Sequence, residues 1–357
     1  MKYLIVQDWD STHGNHAGML HMCRLLEKHY PKDYKVIVKS SPLNFPLIEK
    51  KQSIVGKIIT KAITKKIYEK KIYPLEYFQL CFPLYHELKD GDEVFLLEYL
   101  LSMQSQYELA IYLRKNFPHV KLYALSHQTV NYFKHCVKGK EIIKWSVPVN
   151  KMLTLGSTLS EYFEEVGIPR EKISTGFHYV DNDYYHKSCD IGLRSERLLT
   201  VIAMGNQQRD YSLLAKVVSN TPNIHWIICR GNNKDVDDLF PQSENVDLKG
   251  FLSEDELKHQ MDIADVSINI MSDTVGSNVI TTSMSMGLAM IVSDVGSIRD
   301  YCNDSNALFC ENNYQSFVKA LNALDNDRAK VLRMKKSSLE LSQKLHIENV
   351  NMWFNSL

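Results

Sequence analysis

The chain of 357 residues balances 42 Lys plus Arg against 42 Asp plus Glu, so no global charge draws it to nucleic acid. It is too long for one ordinary core and suits two domains of similar size, with enough apolar residues, 44%, to fill both. Its seven cysteines (Cys23, Cys81, Cys136, Cys189, Cys229, Cys302, Cys310) never fall as C-x-x-C, which argues against a zinc ribbon or a disulfide frame and for reduced thiols.

The opening MKYLIVQDWD has an apolar run too short for a secretory signal, and no later segment reaches the length of a membrane span. The expectation is a cytoplasmic protein. Residues 3–6 read as a strand, and after Asp8-Trp9-Asp10 the glycine-containing loop 13–18 leads into a helix over 19–29. A second strand is expected at 36–38. The basic segment 49–73 follows, in which eight lysines interleave with Ile54, Val55, Ile58, Ile59, Ile63 and Ile67. Helical spacing collects much of that apolar set on one side, so residues 50–73 could lie on an anionic membrane surface at the inner face of the membrane or simply pack as a solvated helix.

Strands are expected at 93–97, 121–125, 151–155 and 173–177, with helices at 106–115 and 157–166 between them. This order describes a doubly wound, Rossmann-like α/β domain with its loops on one sheet edge. Glu98 ends one strand facing that edge, as an acceptor-site or a structural residue. Residues 179–187 lack periodicity, so an interdomain hinge is placed near 180–195 and the first domain at 1–185.

A second α/β domain, 186–340, follows with strands at 198–203, 225–229, 246–248, 266–270 and 289–293. Helices are expected at 212–219, 254–263, 279–286, 314–324 and 329–357, and the last stretch, 341–357 with Trp353 and Phe354, is expected to return to the first domain. No G-x-G-x-x-G follows either first strand, which speaks against a nicotinamide-dependent oxidoreductase. Within 271–301, Gly276-Ser277-Asn278 is a turn ending in two good N-cap residues ahead of a helix. Such a helix start is either only a cap or an anion site, since its unsatisfied N–H groups and dipole point over the sheet edge.

Residues 150–187 (NKMLTLGSTLSEYFEEVGIPREKISTGFHYVDNDYYHK), 249–272 (KGFLSEDELKHQMDIADVSINIMS) and the 271–301 stretch resemble, in order and spacing, a retaining glycosyltransferase of the GT-B fold, similar to glycosyltransferase family 4. The resemblance covers nearly the whole chain. It implies two Rossmann-like domains facing across a cleft and transfer of a sugar from a nucleotide donor, UDP- or GDP-linked, to a saccharide or lipid-linked acceptor of cell-surface polysaccharide synthesis. It implies no cofactor and no bound metal, the second domain holding the nucleotide and the first the acceptor.

By the same resemblance Gly250 and Phe251 fall where main chain meets the nucleobase, and Gly276, Ser277 and Asn278 where the diphosphate is held. His127 matches the histidine near the reacting sugar. Gly14 and Gly18 match the first glycine-containing loop, and Arg209 is the one cation of the loop after Gly205. The departing diphosphate needs such a cation in a water-poor cleft. The sequence also departs from the family. Its paired glutamates, with seven residues between them, fall on Thr274 and Thr282, with Asp273 one position off the first. The expected Arg is Asn206, and the expected Lys falls at Asp210 or Tyr211. These departures leave a second reading, a catalytically degenerate GT-B protein acting as a binding or scaffold partner.

Two metal readings are weak in the sequence. Asp8-Trp9-Asp10 imitates the D-x-D of the other large glycosyltransferase fold, yet it stands too early in its domain. His13, His16 and His21 straddle loop and helix, and no neighbouring cysteine or carboxylate completes a set. A single loop histidine meeting substrate, His16, is the expectation.

Overall fold

The computed structural model describes residues 1–7, 15–39, 84–99, 105–187, 198–240 and 243–357. Residues 50–73, Gly14, His13 and Asp8-Trp9-Asp10 lie outside the described residues.

The first sheet comprises β1 (Lys2–Gln7), β2 (Tyr34–Lys39), β3 (Glu93–Leu96), β4 (Lys121–Ser126), β5 (Lys151–Thr154) and β6 (Ile173–Thr175), in the order β2-β1-β3-β4-β5-β6. The second comprises β7 (Leu199–Met204), β8 (Ile224–Cys229), β9 (Val246–Lys249), β10 (Val266–Asn269), β11 (Ala289–Ser293) and β12 (Ala307–Cys310), in the order β12-β11-β10-β7-β8-β9. Every pairing is parallel. Strands such as LTVIAM and AMIVS are buried at every position, as expected where helices cover both faces of a parallel sheet.

The first domain carries α1 (Met19–His29), α2 (Ser105–Asn116), α3 (Val130–Cys136), α4 (Gly139–Ser146) and α5 (Ser157–Glu165). The second carries α6 (Tyr211–Ser219), α7 (Glu254–Ile263), α8 (Asn278–Ser285), α9 (Tyr314–Asn326) and α10 (Arg328–Ser342), and α11 (Ile347–Asn355) ends the chain. This is the two-domain GT-B architecture. Strand order reverses between β1 and β3, and again between β7 and β10. Loops leaving the carboxyl ends of strands at such switch points open a crevice, and here the two crevices face each other. No described helix is long and apolar enough to cross a membrane. Among the described cysteines, Cys23, Cys136, Cys229, Cys302 and Cys310 are free thiols.

Two features differ from expectation. Residues 130–146, which carry no element in the sequence reading, form α3 and α4, with Thr129 capping α3 through the Tyr132 N–H. The single helix expected over 329–357 is broken by a 3₁₀ turn, Gln343–Leu345. The break has a tertiary cause, because the Leu345 carbonyl accepts the Val180 N–H at 3.0 Å as the chain crosses between domains. Beyond it, Ile347, Val350 and Phe354 of α11 pack with Leu4, Val6 and Phe95 of the first domain. Trp353 donates its indole N–H to Ser174 Oγ at 3.0 Å, and its ring fills the space that a Cβ at Gly176 would need.

Candidate active site

A cavity of about 600 Å³ lies between the two crevices, within the usual range for small-molecule sites. The first domain contributes Glu98, Leu125, His127, Gln128, Thr129, Phe177, His178 and Tyr179, and α11 adds Trp353 and Phe354. The second contributes residues 205–209 after β7 and 273–279, which run into the first turn of α8. These last two segments are joined at the switch point by an antiparallel bridge between Arg209 and Met271, with Ser272 N–H donating to Gln208 O at 3.0 Å.

α8 starts as its sequence dictates. Ser277, in extended conformation, caps it through the Ile280 N–H at 3.4 Å. Gly276 turns the chain into that cap at φ +90°, packed so closely on the Tyr301 ring that a Cβ would lie 2.2 Å from it. Among the described residues nothing accepts from the N–H groups of Ser277, Asn278 and Val279, as expected at a helix start. The Tyr301 hydroxyl donates to the Leu155 carbonyl and accepts the His178 N–H at 2.9 Å, so one buried phenol joins the domains behind this loop.

Arg209 lies over Gly205, with Nε within 3.4 Å of where a Cβ would stand. Its Nε and Nη1 are buried without a hydrogen-bond partner among the described residues. Burial lowers its pKa to about 10, so it stays charged near neutral pH. A charged guanidinium with two such donors beside a cavity is suited to receive an anion. The positions expected to hold a second cation serve the scaffold instead. Asp210 caps α6 through Leu213 N–H at 2.8 Å, and the Tyr211 hydroxyl donates to Gly205 O at 2.9 Å.

At the positions that replace the carboxylates, the side chains are already engaged within the protein. Asp273 lines the cavity, but its Oδ2 accepts the Asn131 N–H of α3 at 2.8 Å and its Oδ1 accepts the Thr274 N–H at 2.8 Å. It therefore bonds the two domains together. Thr274 also lines the cavity, with Oγ1 taken by the Gly276 N–H at 3.0 Å. Thr282 does not reach the cavity, because its hydroxyl donates back to the Asn278 carbonyl at 2.6 Å within the helix. Gly250 and Phe251 also stand apart from it. They follow β9, the edge strand two places from β7, and Phe251 is 55% exposed. His16 and Gly18 are outside the lining too, although Ala17 and Met19 belong to it.

On the opposite wall His127 follows β4, and Glu98 Oε2 stands 3.6 Å from its Nε2. That separation is too long for a hydrogen bond, so burial prevails and lowers the imidazole pKa to about 4. His178 is a residue the sequence reading missed. Burial, then the neighbouring His127, lowers its pKa to about 3 against an opposing hydrogen bond with the Asn278 side chain. The one signal available was its place just past β6, as His127 is just past β4.

Both rings are neutral at pH 7. In the unfolded chain they take up protons near pH 6.5, whereas the folded chain resists to about pH 4 and below. The unfolded state then binds more protons, so stability falls as pH drops from about 7 towards 4. The slope is at most about 1.4 kcal/mol per pH unit for each ring, less for the solvent contact each keeps. Melting curves across this window should show a shallower decline in His127→Gln than in the wild type; a steeper one would contradict the assignment.

Residues 198–327 match the family described as Glycosyl transferases group 1. No curated protein sequence matches the chain. Among solved structures, sucrose-phosphate synthase from Thermosynechococcus elongatus is similar over 100% of this chain and 98% of its own, with TM-score 0.73 at 11% identity. Anabaena Alr3699/HepE in complex with UDP and glucose covers 99% and 98%, with TM-score 0.68 at 13% identity. The lipopolysaccharide outer core galactosyltransferase WaaB covers 100% and 99%, with TM-score 0.69 at 15% identity. At such identities the structures speak for the fold, while the family match speaks for the domain that carries Arg209 and α8. Residues 198–327 of this chain are thus similar to the glycosyl transferases of group 1, within a two-domain GT-B fold.

Proposed function

We propose that the protein transfers a sugar from a nucleotide-sugar donor to a saccharide or lipid-linked acceptor of cell-surface polysaccharide synthesis. The observation that carries this reading is the buried Arg209 guanidinium with two idle donors, in the same cavity as the open N–H groups of α8. Together they offer a preorganised positive field for a leaving diphosphate. The donor is UDP- or GDP-linked, and the UDP and glucose held by Alr3699/HepE favour UDP.

The reaction we propose keeps the anomeric configuration. The bond from the anomeric carbon to the diphosphate oxygen breaks, the acceptor hydroxyl attacks from the same face, and its proton passes to the departing phosphate oxygen. Arg209 and α8 receive the charge that develops, so this step calls on no metal ion. Neutral His127 can accept or donate one hydrogen bond to the reacting sugar, and Glu98 with Trp353 forms the acceptor wall. Residues 50–73, outside the described residues, would hold the enzyme against an anionic membrane beside a lipid-linked acceptor.

A degenerate scaffold would have no use for a charge kept inside a cleft with no partner among the described residues, which is costly without a ligand. Stabilisation by one nucleoside diphosphate, then turnover of the matching donor with the product's anomeric configuration assigned, tests the reading. Failure of both would leave a binding protein.

A further inference from the structure

Away from the cavity, His16, His21 and Asp181 bring their ligand atoms within 4.8 Å of one another. None of the three lines the cavity. In the sequence the histidines lack a carboxylate; the fold supplies Asp181, which lies 160 residues beyond His21, with Oδ2 at 2.8 Å from His21 Nε2. The His16 and His21 rings are 4.5 Å apart between centroids. Each group is fixed from outside. His16 Nδ1 stands 2.9 Å from Glu254 Oε2, the His16 N–H donates to Glu254 Oε1 at 2.8 Å, and the Tyr185 hydroxyl donates to the same oxygen at 2.6 Å. Tyr184 stacks on His16 at 3.7 Å, and Asp181 Oδ1 accepts the N–H groups of Asp183 and Tyr184 at 3.1 and 3.2 Å.

We propose that His16, His21 and Asp181 form a binding site for a divalent transition metal such as Zn²⁺, with Glu254 as the carboxylate that orients His16. Two imidazoles and a carboxylate are a zinc-type donor set. A histidine that gives its Nδ1 proton to a carboxylate keeps the Nε2 lone pair for a metal, and this pairing is the usual outer support of metal-bound histidine. Tetrahedral coordination at about 2.1 Å places ligand atoms about 3.4 Å apart, so side chains must draw in modestly at the longest gap. Burial raises the Asp181 carboxyl pKa, but the His21 bond and the Tyr184 N–H outweigh it, leaving the group ionised as a ligand must be. Asp181 and Glu254 together balance a double positive charge.

The ligands come from the loop before α1, from α1, and from the segment leading out of the first domain, while Glu254 opens α7 of the second. An ion here would stiffen the seam on which the cavity depends without touching the substrate.

The test uses the full chain, free of any tag, stripped with a chelator and then dialysed against Zn²⁺ or Co²⁺. One ion per chain is expected, with visible d–d absorption from Co²⁺ and a melting temperature raised by Zn²⁺. His21→Ala and Asp181→Asn should weaken binding at least tenfold, and His119→Ala, at an exposed histidine elsewhere, should leave it unchanged. Should either site variant fail to fold, His21→Gln, which can keep the bond to Asp181, takes its place, with folding checked by circular dichroism before metal is added. Binding of no stoichiometric ion by the wild type, or undiminished binding by the folded site variants, would overturn the proposal.

Discussion

Arg209→Ala should slow turnover by about two to three decades while leaving the melting temperature unchanged or slightly higher. The rate loss is the usual consequence of removing one preorganised partner of a developing negative charge. The thermal result follows from the free state. Nε and Nη1 have no acceptor among the described residues, so the folded protein bears the cost of a desolvated charge and gains no bond from it there. Removing a group that is strained for function and idle for folding separates activity from stability. Arg209→Lys should restore little, because an ammonium cannot offer the guanidinium's paired donors to a diphosphate. A variant that melts early yet turns over normally would mark Arg209 as scaffold.

Gly276→Ala should lower both stability and nucleotide binding. Its φ of +90° lies where a side chain is strained, and the added Cβ would meet the Tyr301 ring at 2.2 Å and its oxygen at 2.3 Å. Tyr301 is 5% exposed, and its hydroxyl is committed to Leu155 and His178, so it cannot swing aside without parting the domains. Strain contributes about 1–2 kcal/mol and overpacking about 1–3 kcal/mol, or about 2–5 kcal/mol together. Gly91→Ala isolates the first contribution, since Gly91 has φ +87° and nothing within 4 Å of the added carbon. Denaturant unfolding of the two variants should therefore differ by the packing contribution. Equal losses would remove the contact with Tyr301 from the account.

The alternation of strand, loop and helix was legible because parallel strands buried on both faces read as continuous apolar runs, as in AMIVS, and because Ser277 announces α8. Arg209 was legible as the one cation of its loop. What escaped depended on partners far along the chain. The break at Gln343–Leu345 contains no Pro or Gly and exists because Leu345 meets Val180. α3 and α4 are too short for a periodic pattern to outweigh the residues around them. Asp273 could not be recognised as an interdomain cap before α3 was in place, and Thr282 gave no sign that its hydroxyl would turn back on its own helix. Asp181 could not be joined to His21 across 160 residues.

The most direct measurement is a melting-temperature titration of the wild type and Ser277→Glu with UDP, GDP, CDP and ADP. The variant places a carboxylate where the diphosphate should rest. One nucleoside diphosphate, at a hundred times its dissociation constant, should stabilise the wild type by about 2.7 kcal/mol and leave Ser277→Glu unmoved. A wild type indifferent to all four, or a shift that survives in the variant, would contradict a diphosphate held between Arg209 and the start of α8.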